Sequence, residues 1–265
     1  MKRKNISNLK LSKQSGITLV ALVITVIVLL ILAGITIVTL TGDNGLLVKA
    51  NKAVRNTKKA EYIEVLSLAA IQTEDLEEMK TEIEKYQNIK VSEYKEYNGN
   101  LVVITEDGYK FLIDKKKVLA VEILNIEYGN IEIYPDYYIL NDENISNDDK
   151  NYIITGNTTE NSVKIFGDQS NTYNIYISDL TIDVKSISNL AAFNIKEGAN
   201  VNLNVMGENT FTSGFGCAGL QKSSKDGNLI IEGVGKLTTS GGQQGPGIGR
   251  PVMIHGMEQF HHVLM

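Results

Sequence analysis

Three short segments in the second half of the chain decide the fold: Ile175-Tyr-Ile-Ser-Asp179, Val201-Asn-Leu-Asn-Val205 and Leu229-Ile-Ile231. The second begins 26 residues after the first, and Leu229 lies 26 residues after Leu203. A repeat of this length is typical of a stacked solenoid. Because the segments alternate apolar and polar residues between Gly and Asn, each turn is expected to consist of strands. They predict an all-β, right-handed parallel β-helix with turns ~4.8 Å apart, and a β-sandwich of hairpins is the alternative.

The predicted β-helix covers residues 126–249, where Asn, Gly, Thr and Ser alternate with Ile, Val and Leu. Its segments AAFNIKEGANVNLNVMGENTFTSG, CAGLQ, GNLIIEGVGKLTTSGG and GPGIG resemble a β-helical domain of bacterial surface proteins that is commonly labelled carbohydrate-binding. Residues 129–136 and 151–156 are similar to the first turns of that family. The resemblance implies polysaccharide binding, with calcium as an additional ligand.

The N-terminal end changes abruptly from basic to apolar at Gly16. Residues 17–40 contain no charge over 24 positions. At ~1.5 Å per helical residue this stretch is ~36 Å long, enough to cross a bilayer core of ~30 Å. Five basic residues and no acidic one precede it: Lys2, Arg3, Lys4, Lys10 and Lys13. We expect a single-pass protein of a bacterial cell membrane, with a cytoplasmic N-terminus and an extracellular C-terminal domain.

The residues around Gly16 resemble a processing signal. Lys13-Gln-Ser-Gly-Ile-Thr-Leu-Val20 is similar to the leader of type IV prepilins and pseudopilins. The resemblance implies that a prepilin peptidase cleaves between Gly16 and Ile17, that the new N-terminus is methylated, and that the helix packs against other pilin subunits. The chain departs from the family at Ile17, where Phe or Met is usual, and at Ala21, where an acidic residue pairs with the neighbouring subunit. A plain membrane anchor is the alternative.

The segment between the membrane helix and the β-helix, residues 42–125, has the α+β pattern of a pilin. Helices are predicted over residues 46–71 and 74–86, the second capped by Thr73. Three strands of a small antiparallel sheet are predicted over residues 101–104, 109–113 and 118–123. The predicted organisation is therefore a leader (1–16), a transmembrane helix (17–41), a pilin-like α/β segment (42–125), the β-helix (126–249) and an atypical tail (250–265).

Charge and cysteine content restrict the classes of partner. The net charge is −5, and removal of the five positive charges of the leader leaves −10 on the mature protein. This excess of acid argues against nucleic-acid binding, which depends on cationic contacts to phosphate. Cys217 is the single cysteine, so an intramolecular disulfide is excluded, and we expect it to be a small buried residue.

The sequence does not predict catalysis. All three histidines, His255, His261 and His262, lie in the last eleven residues, so the predicted β-helix has no histidine base. Glycosidases require two facing carboxylates, and Asp179 and Asp183 have no acidic equivalents 26 residues later, where Val205 and Asn209 stand. A non-enzymatic protein is predicted, with a degenerate polysaccharide lyase as an alternative.

Two sets of side chains are the candidate binding residues. Exposed aromatic rings stack on sugar rings, and a cluster of tyrosines occupies the early turns. These are Tyr134, Tyr137, Tyr138, Tyr152, Tyr173 and Tyr176. The alternative is that they cover the open end of the solenoid or pack between domains. Asp179, Asp183 and Asp226 are the candidate calcium ligands, since calcium binds oxygen donors at such corners, and solvated turn residues are the alternative.

The tail, residues 250–265, interrupts the repeat in mid-turn and contains three of the six methionines. It is either a cap on the last turn or sequence that follows a frameshift or a truncation. Together these features predict a membrane-anchored, outward-facing surface protein whose β-helix binds carbohydrate or another surface polymer. The main alternative is a structural pilin or pseudopilin subunit of a secretion or adhesion filament that binds no glycan.

Overall fold

The chain begins with a long apolar helix, α1 (Ser15–Thr41). Within it, the segment Leu19–Ile37 is long and apolar enough to cross a membrane. Both membrane spans and signal sequences have this length and composition. The threonine hydroxyls of this stretch donate to carbonyls one helical turn earlier, from Thr25 to Ala21 at 3.0 Å and from Thr36 to Leu32 at 2.7 Å. These hydroxyls therefore do not require water, which suits an apolar environment.

The computed structural model describes residues 15–41 and 45–250. Most of the predicted leader (1–16) and of the atypical tail (250–265) lies outside the described residues. Gly16 and Ile17 lie in the first turn of α1. The chain divides into two compact units, Met1–Ala60 and Glu61–Met265.

Two further helices follow, α2 (Leu46–Gln72) and α3 (Leu76–Glu84). The second begins later than predicted, because Asp75 and not Thr73 is its cap. The Asp75 carboxylate accepts from the backbone N–H groups of Glu77 and Glu78 at 3.0 and 2.9 Å. Thr73 instead accepts from the Asp75 N–H at 3.0 Å, so it supports the cap from outside the helix.

A four-stranded antiparallel sheet follows the helices, in the order β1 (Val91–Tyr97), β2 (Asn100–Thr105), β3 (Lys110–Asp114) and β4 (Lys117–Ala120). One face packs on α2 and α3 through a core that includes Leu66, Ile83, Leu101 and Phe111. The other face contributes Val102, Leu112 and Val121 to a second cluster, which contains solenoid residues. The central strands β2 and β3 are thus buried on both faces, whereas every residue of β1 is exposed or half-buried.

The strand expected over residues 118–123 is in fact two strands. Its first half is β4, which pairs antiparallel with β3. Its second half belongs to β5 (Glu122–Asn125), which pairs in parallel with a strand of the solenoid. Val121 joins them and donates its N–H to the Lys110 carbonyl at 2.9 Å. The first turn of the solenoid therefore begins four residues earlier than predicted.

A β-solenoid of about five turns forms the rest of the described chain, through residue 250, as the repeat predicted. Its first sheet contains β5, β9 (Asn151–Thr158), β11 (Thr172–Asp183), β13 (Asn200–Met206), β14 (Glu208–Thr212), β16 (Leu229–Gly233) and β17 (Lys236–Ser240). Its second sheet contains β6 (Ile131–Ile133), β10 (Val163–Ile165), β12 (Phe193–Ile195), β15 (Leu220–Lys222) and β18 (Ile248–Gly249). Within both sets the paired strands are parallel.

A hairpin interrupts the first turn. It consists of β7 (Tyr137–Leu140) and β8 (Glu143–Ser146), and β7 pairs antiparallel with β6. Asn141 and Asp142 connect the two strands with φ of 53° and 61°, the left-handed pair that a tight hairpin turn requires. The second sheet thus continues past the first turn of the solenoid.

The turns repeat with a different register from the one that the sequence suggested. Ile175 faces Leu203 and Leu203 faces Ile231, so equivalent residues are 28 apart and not 26. Tyr152, only 23 residues before Ile175, faces it from the other side. Because side chains alternate with period 2, a shift of two residues leaves every side chain on the same face of the strand. Alternation alone therefore could not distinguish 26 from 28.

Inward-facing side chains form one continuous core along the solenoid. Ile175, Ile177 and Leu203 are fully buried. Phe193 and Phe211 stack inside it with ring centroids 5.4 Å apart. In the fifth turn Ile231 is 39% exposed, because no strand among the described residues pairs with β16 on its far side. The predicted apolar ladder is therefore closed in its middle turns and open at its last one.

Candidate functional site

A groove of about 500 Å³ lies between the antiparallel sheet and the outer face of the first solenoid sheet, within the second unit. Its walls come from two hairpin turns on one side and from three successive solenoid turns on the other. The lining residues are Asn98, Gly99, Asn100, Asp114, Lys115, Tyr176, Asn204, Val205, Met206, Glu232, Gly233 and Val234. Seven of the twelve lining residues are polar or charged, and together they offer both donors and acceptors beside apolar side chains.

Parallel register forms the solenoid wall of the groove. Tyr176 on β11 faces Asn204 on β13, and Asn204 faces Glu232 on β16. Since neighbouring parallel strands are ~4.8 Å apart, these three side chains form a column on the outer face of the sheet. Outward-facing positions of a solenoid are not needed for the core, so polar residues can be accommodated there.

Two tight turns form the opposite wall. The β1–β2 turn has Asn98 and Gly99 at φ of 49° and 84°, and the β3–β4 turn has Lys115 at φ of 56°. Hydrogen bonds fix the first of these turns to the solenoid. The Asn98 amide donates to the Ser178 hydroxyl at 3.0 Å, and the Asn100 amide donates to the Met206 sulfur at 3.1 Å. These two hydrogen bonds therefore join the β1–β2 side of the groove to its solenoid wall.

The corner beside Asn98 depends on a glycine. Gly207 has φ of 65°, and a Cβ atom there would lie 2.2 Å from Oδ1 of Asp179. That oxygen accepts the backbone N–H of Glu208 at 3.1 Å. The backbone of Asp179 is also in the left-handed conformation, with φ of 50°, because the pairing of β11 with β9 has a bulge at this residue. Only a residue without a side chain leaves this carboxylate in place.

The groove carries two carboxylates and one ammonium group, from Asp114, Glu232 and Lys115. Burial, followed by the nearby carboxylates of Asp114 and Glu232, raises the pKa of Tyr176 to about 12. Its hydroxyl is therefore protonated at neutral pH. The Tyr176 ring is only 3% exposed and packs in the cluster that includes Leu112 and Met206.

Four of the six tyrosines proposed as a stacking face are buried. Tyr138, Tyr152 and Tyr173 belong to the solenoid core, and Tyr176 lies against the antiparallel sheet. Tyr138 and Tyr152 meet edge to face with centroids 6.0 Å apart, and the Tyr173 hydroxyl donates to the Phe166 carbonyl at 2.7 Å. These rings cannot stack on a sugar. Tyr176 packs between the antiparallel sheet and the solenoid, as one of the alternatives supposed, whereas the other three fill the solenoid core.

Tyr134 and Tyr137 are partly exposed, but they stack on protein rings. Tyr134 lies between Tyr137 and Phe166, at centroid distances of 4.5 Å on both sides and interplanar angles of 14° and 2°. The Lys196 ammonium lies 5.3 Å from the Phe166 centroid. Tyr134, Phe166 and Lys196 each follow the paired residues Ile133, Ile165 and Ile195, so they lie on successive turns, whereas Tyr137 joins the stack from the antiparallel hairpin of the first turn. Both faces of Tyr134 are occupied, and Tyr137 is the outermost ring.

A charged row runs beside this ladder. The Glu132 carboxylate accepts from the Lys164 ammonium at 2.8 Å and from the Tyr134 hydroxyl at 2.9 Å. The bond to Lys164, followed by the bond to Tyr134, lowers the pKa of Glu132. Glu132 faces Lys164 in the register of β6 and β10. The pair therefore links the first two turns on their outer surface.

The carboxylates of two of the three candidate calcium ligands, Asp179 and Asp183, bind other groups. Asp179 accepts from the Glu208 N–H, and Asp183 pairs with Lys185 at 2.8 Å, a hydrogen bond that lowers the pKa of Asp183. Asp226 lies in a turn where its N–H donates to the Ser224 hydroxyl at 3.0 Å. Within residues 15–41 and 45–250 no group of three or more His, Cys, Asp or Glu side chains is placed to hold a metal ion.

Sequence reasoning missed the groove. Apart from Tyr176, its polar residues are Asn, Asp, Lys and Glu side chains from segments far apart in the chain, and none has a motif spacing. Two signals were present. Asn98-Gly99 between alternating segments indicates a tight hairpin, and Asn204 occupies an outward position of the repeat. Neither indicates that the hairpin meets that face of the solenoid.

No protein-family model, curated protein or solved structure matches the chain. The function is therefore inferred from the groove and from the apolar helix α1.

Proposed function

We propose that the protein is a membrane-anchored, outward-facing, pilin-like surface protein whose right-handed β-helix binds carbohydrate without catalysis. The observation that supports glycan binding is the groove beside Tyr176. Sugar hydroxyls both donate and accept, and ligand sites combine a shaped concavity with a few placed polar groups. Asn98, Asn100 and Asn204 carry both functions in one side chain, and Asp114 and Glu232 add strong acceptors.

The groove differs from the site that the tyrosines suggested. Recognition here would depend on hydrogen bonds to amides and carboxylates, with Val205, Met206 and Val234 as the apolar contacts. Val234 is 88% exposed, so apolar surface is present at the rim. Calcium is not required for this proposal, since sugar hydroxyls can reach the carboxylates directly.

Membrane anchoring is supported by α1. A helix of this length and composition fits a span, and the basic residues before it favour a cytoplasmic start. Under this proposal a prepilin peptidase removes residues 1–16, and Ile17 becomes the methylated N-terminus. The intact mass of the mature protein tests this step, and a chain that retains Met1 would contradict it.

Glycan binding is tested with the full chain in detergent micelles on a polysaccharide array, with and without calcium, followed by calorimetry on the best ligand. Loss of one neutral hydrogen bond costs ~0.5–1.5 kcal/mol, so Asn204→Ala should raise Kd about twofold to tenfold. Glu232→Gln should weaken binding in the same direction. Glu143→Gln, the same change at an exposed position of β8, is the matched control and should leave Kd unchanged.

Three outcomes would contradict the proposal. Equal Kd values for Glu232→Gln and Glu143→Gln would place the ligand elsewhere. Incorporation into filaments without any glycan binding would favour a structural pilin or pseudopilin subunit. Unsaturated sugar products would favour a polysaccharide lyase.

A further inference from the structure

The first half of α2 carries a concentration of positive charge. Residues 46–60 contain five basic residues and no acidic one, whereas residues 61–265 carry a net charge of −14 from 16 basic and 30 acidic residues. The five are Lys49, Lys52, Arg55, Lys58 and Lys59. All residues from 46 to 58 are exposed. We refer to residues 46–60 as the basic segment.

The basic segment also exposes large apolar side chains. Leu46, Leu47 and Val54 are 67%, 56% and 68% exposed. At about 100° per residue, these three and two alanines, Ala50 and Ala53, occupy one sector of the helix about 120° wide. Lys49 and Lys58 lie about 90° to either side of the middle of that sector. An apolar stripe with lysines along its borders is the pattern of a helix that lies in a membrane interface.

Chain length places this segment near the membrane. Only residues 42–45 separate the end of α1 at Thr41 from the start of α2 at Leu46. Four residues span at most ~14 Å, comparable to the headgroup layer together with a Debye length of ~8 Å. If α1 spans the bilayer, the basic segment starts within reach of the lipid headgroups.

We propose that the basic segment binds anionic phospholipid headgroups, with Leu46, Leu47 and Val54 at the boundary of the acyl chains. The basic charge requires an acidic partner, and the short connection favours a lipid surface over a second copy of the chain, because headgroups lie within reach of every anchored chain whereas a second copy would have to diffuse to it within the membrane. Lysine side chains can lie along the apolar boundary and keep their ammonium groups among phosphates. The inference rests on the proposed membrane anchoring and is independent of glycan binding.

Hydrogen exchange measured on the full chain tests this inference. The protein is placed in nanodiscs of pure phosphatidylcholine, and in nanodiscs of equal parts phosphatidylcholine and phosphatidylglycerol. Amides of residues 46–60 should exchange more slowly in the anionic discs. A basic residue near an anionic surface raises the binding constant for that surface about fivefold. The double variant Lys49→Gln/Lys58→Gln should therefore lower the added protection of these amides about 30-fold. Lys49→Arg/Lys58→Arg keeps the charge and should retain it.

Equal exchange in the two kinds of disc, or equal loss in the Arg and Gln variants, would overturn the inference. Protection that increases with the number of protein copies per disc would instead show contact with a second copy, and would also overturn it. If the chain fails to co-elute with discs of either composition, the membrane anchoring itself is wrong, and the lipid site falls with it. Retained co-elution with equal exchange refutes the lipid site alone.

Discussion

Gly207→Ala should destabilise the solenoid, chiefly through contact of the new side chain with the Asp179 carboxylate. The new Cβ would lie 2.2 Å from Oδ1 of Asp179 and 2.6 Å from Nδ2 of Asn98, in a backbone conformation with φ of 65°. The left-handed conformation costs an alanine ~1–2 kcal/mol. Displacing Asp179 loses its bond from the Glu208 N–H, worth ~0.5–1.5 kcal/mol for an exposed acceptor. We expect a total loss of about 1.5–3.5 kcal/mol.

A double-mutant cycle separates the two contributions. Asp179 is left-handed as well, so Asp179→Gly removes the clashing carboxylate without adding strain. In that background Gly207→Ala should cost less, because the conformational part of ~1–2 kcal/mol and the contact with Nδ2 of Asn98 remain while the contact with the carboxylate is gone. Urea unfolding of the full chain in micelles, followed by circular dichroism of the strands, gives both free energies. Equal costs in the two backgrounds would refute the argument, because the carboxylate would then not be the obstacle.

Two further predictions concern the outer surface of the solenoid. The Asn174 side chain donates to Asn151 at 2.7 Å and accepts from Asn202 at 3.0 Å, so Asn174→Ala breaks two hydrogen bonds of an amide ladder and should lower the free energy of unfolding by ~1–3 kcal/mol. Asn144→Ala, on the exposed strand β8, is the control and should cost under ~0.5 kcal/mol in the same thermal unfolding experiment. Equal losses in the two variants would argue against the ladder. Lys164, and then Tyr134, lower the pKa of Glu132 in the folded state, so this carboxylate adds stability above its unfolded pKa of ~4.3 that disappears as the pH falls through the lower folded value. Glu132→Gln should therefore flatten the acid limb of a stability–pH curve, and the same slope as in the unaltered protein would contradict this.

The solenoid was predictable because its evidence is local and repeated. Alternation in residues 201–205 and the short apolar run of residues 229–231 identify strands, and recurrence identifies stacking. The register between turns was not predictable, since the core requires only that the same alternate positions of each strand face inward. Ile175 and Leu203 satisfy that condition at 28 residues as well as at 26. Backbone pairing and corner geometry decide between the two values, and neither is encoded in the alternation.

The binding residues were less predictable than the fold. A tyrosine in a strand has the same sequence signature whether its ring faces solvent or core, and Tyr152 and Tyr173 face the core. The groove exists because the Asn98-Gly99 hairpin meets the outer face of β13, a contact between residues about a hundred positions apart. Long-range contacts of this kind leave no periodic trace in either segment.

The hairpin β7–β8 has a consequence for how such a protein can be extended. It covers the edge of β6 with antiparallel strands, so another solenoid cannot add a parallel strand at that edge of the second sheet. End-to-end polymerisation through β6 is therefore blocked. Within the described residues β8 becomes the outer edge of the second sheet, and β5 keeps an open edge in the first. Copies that associate by strand pairing at this end would have to use β8 or β5, so the hairpin determines where the solenoid can be extended.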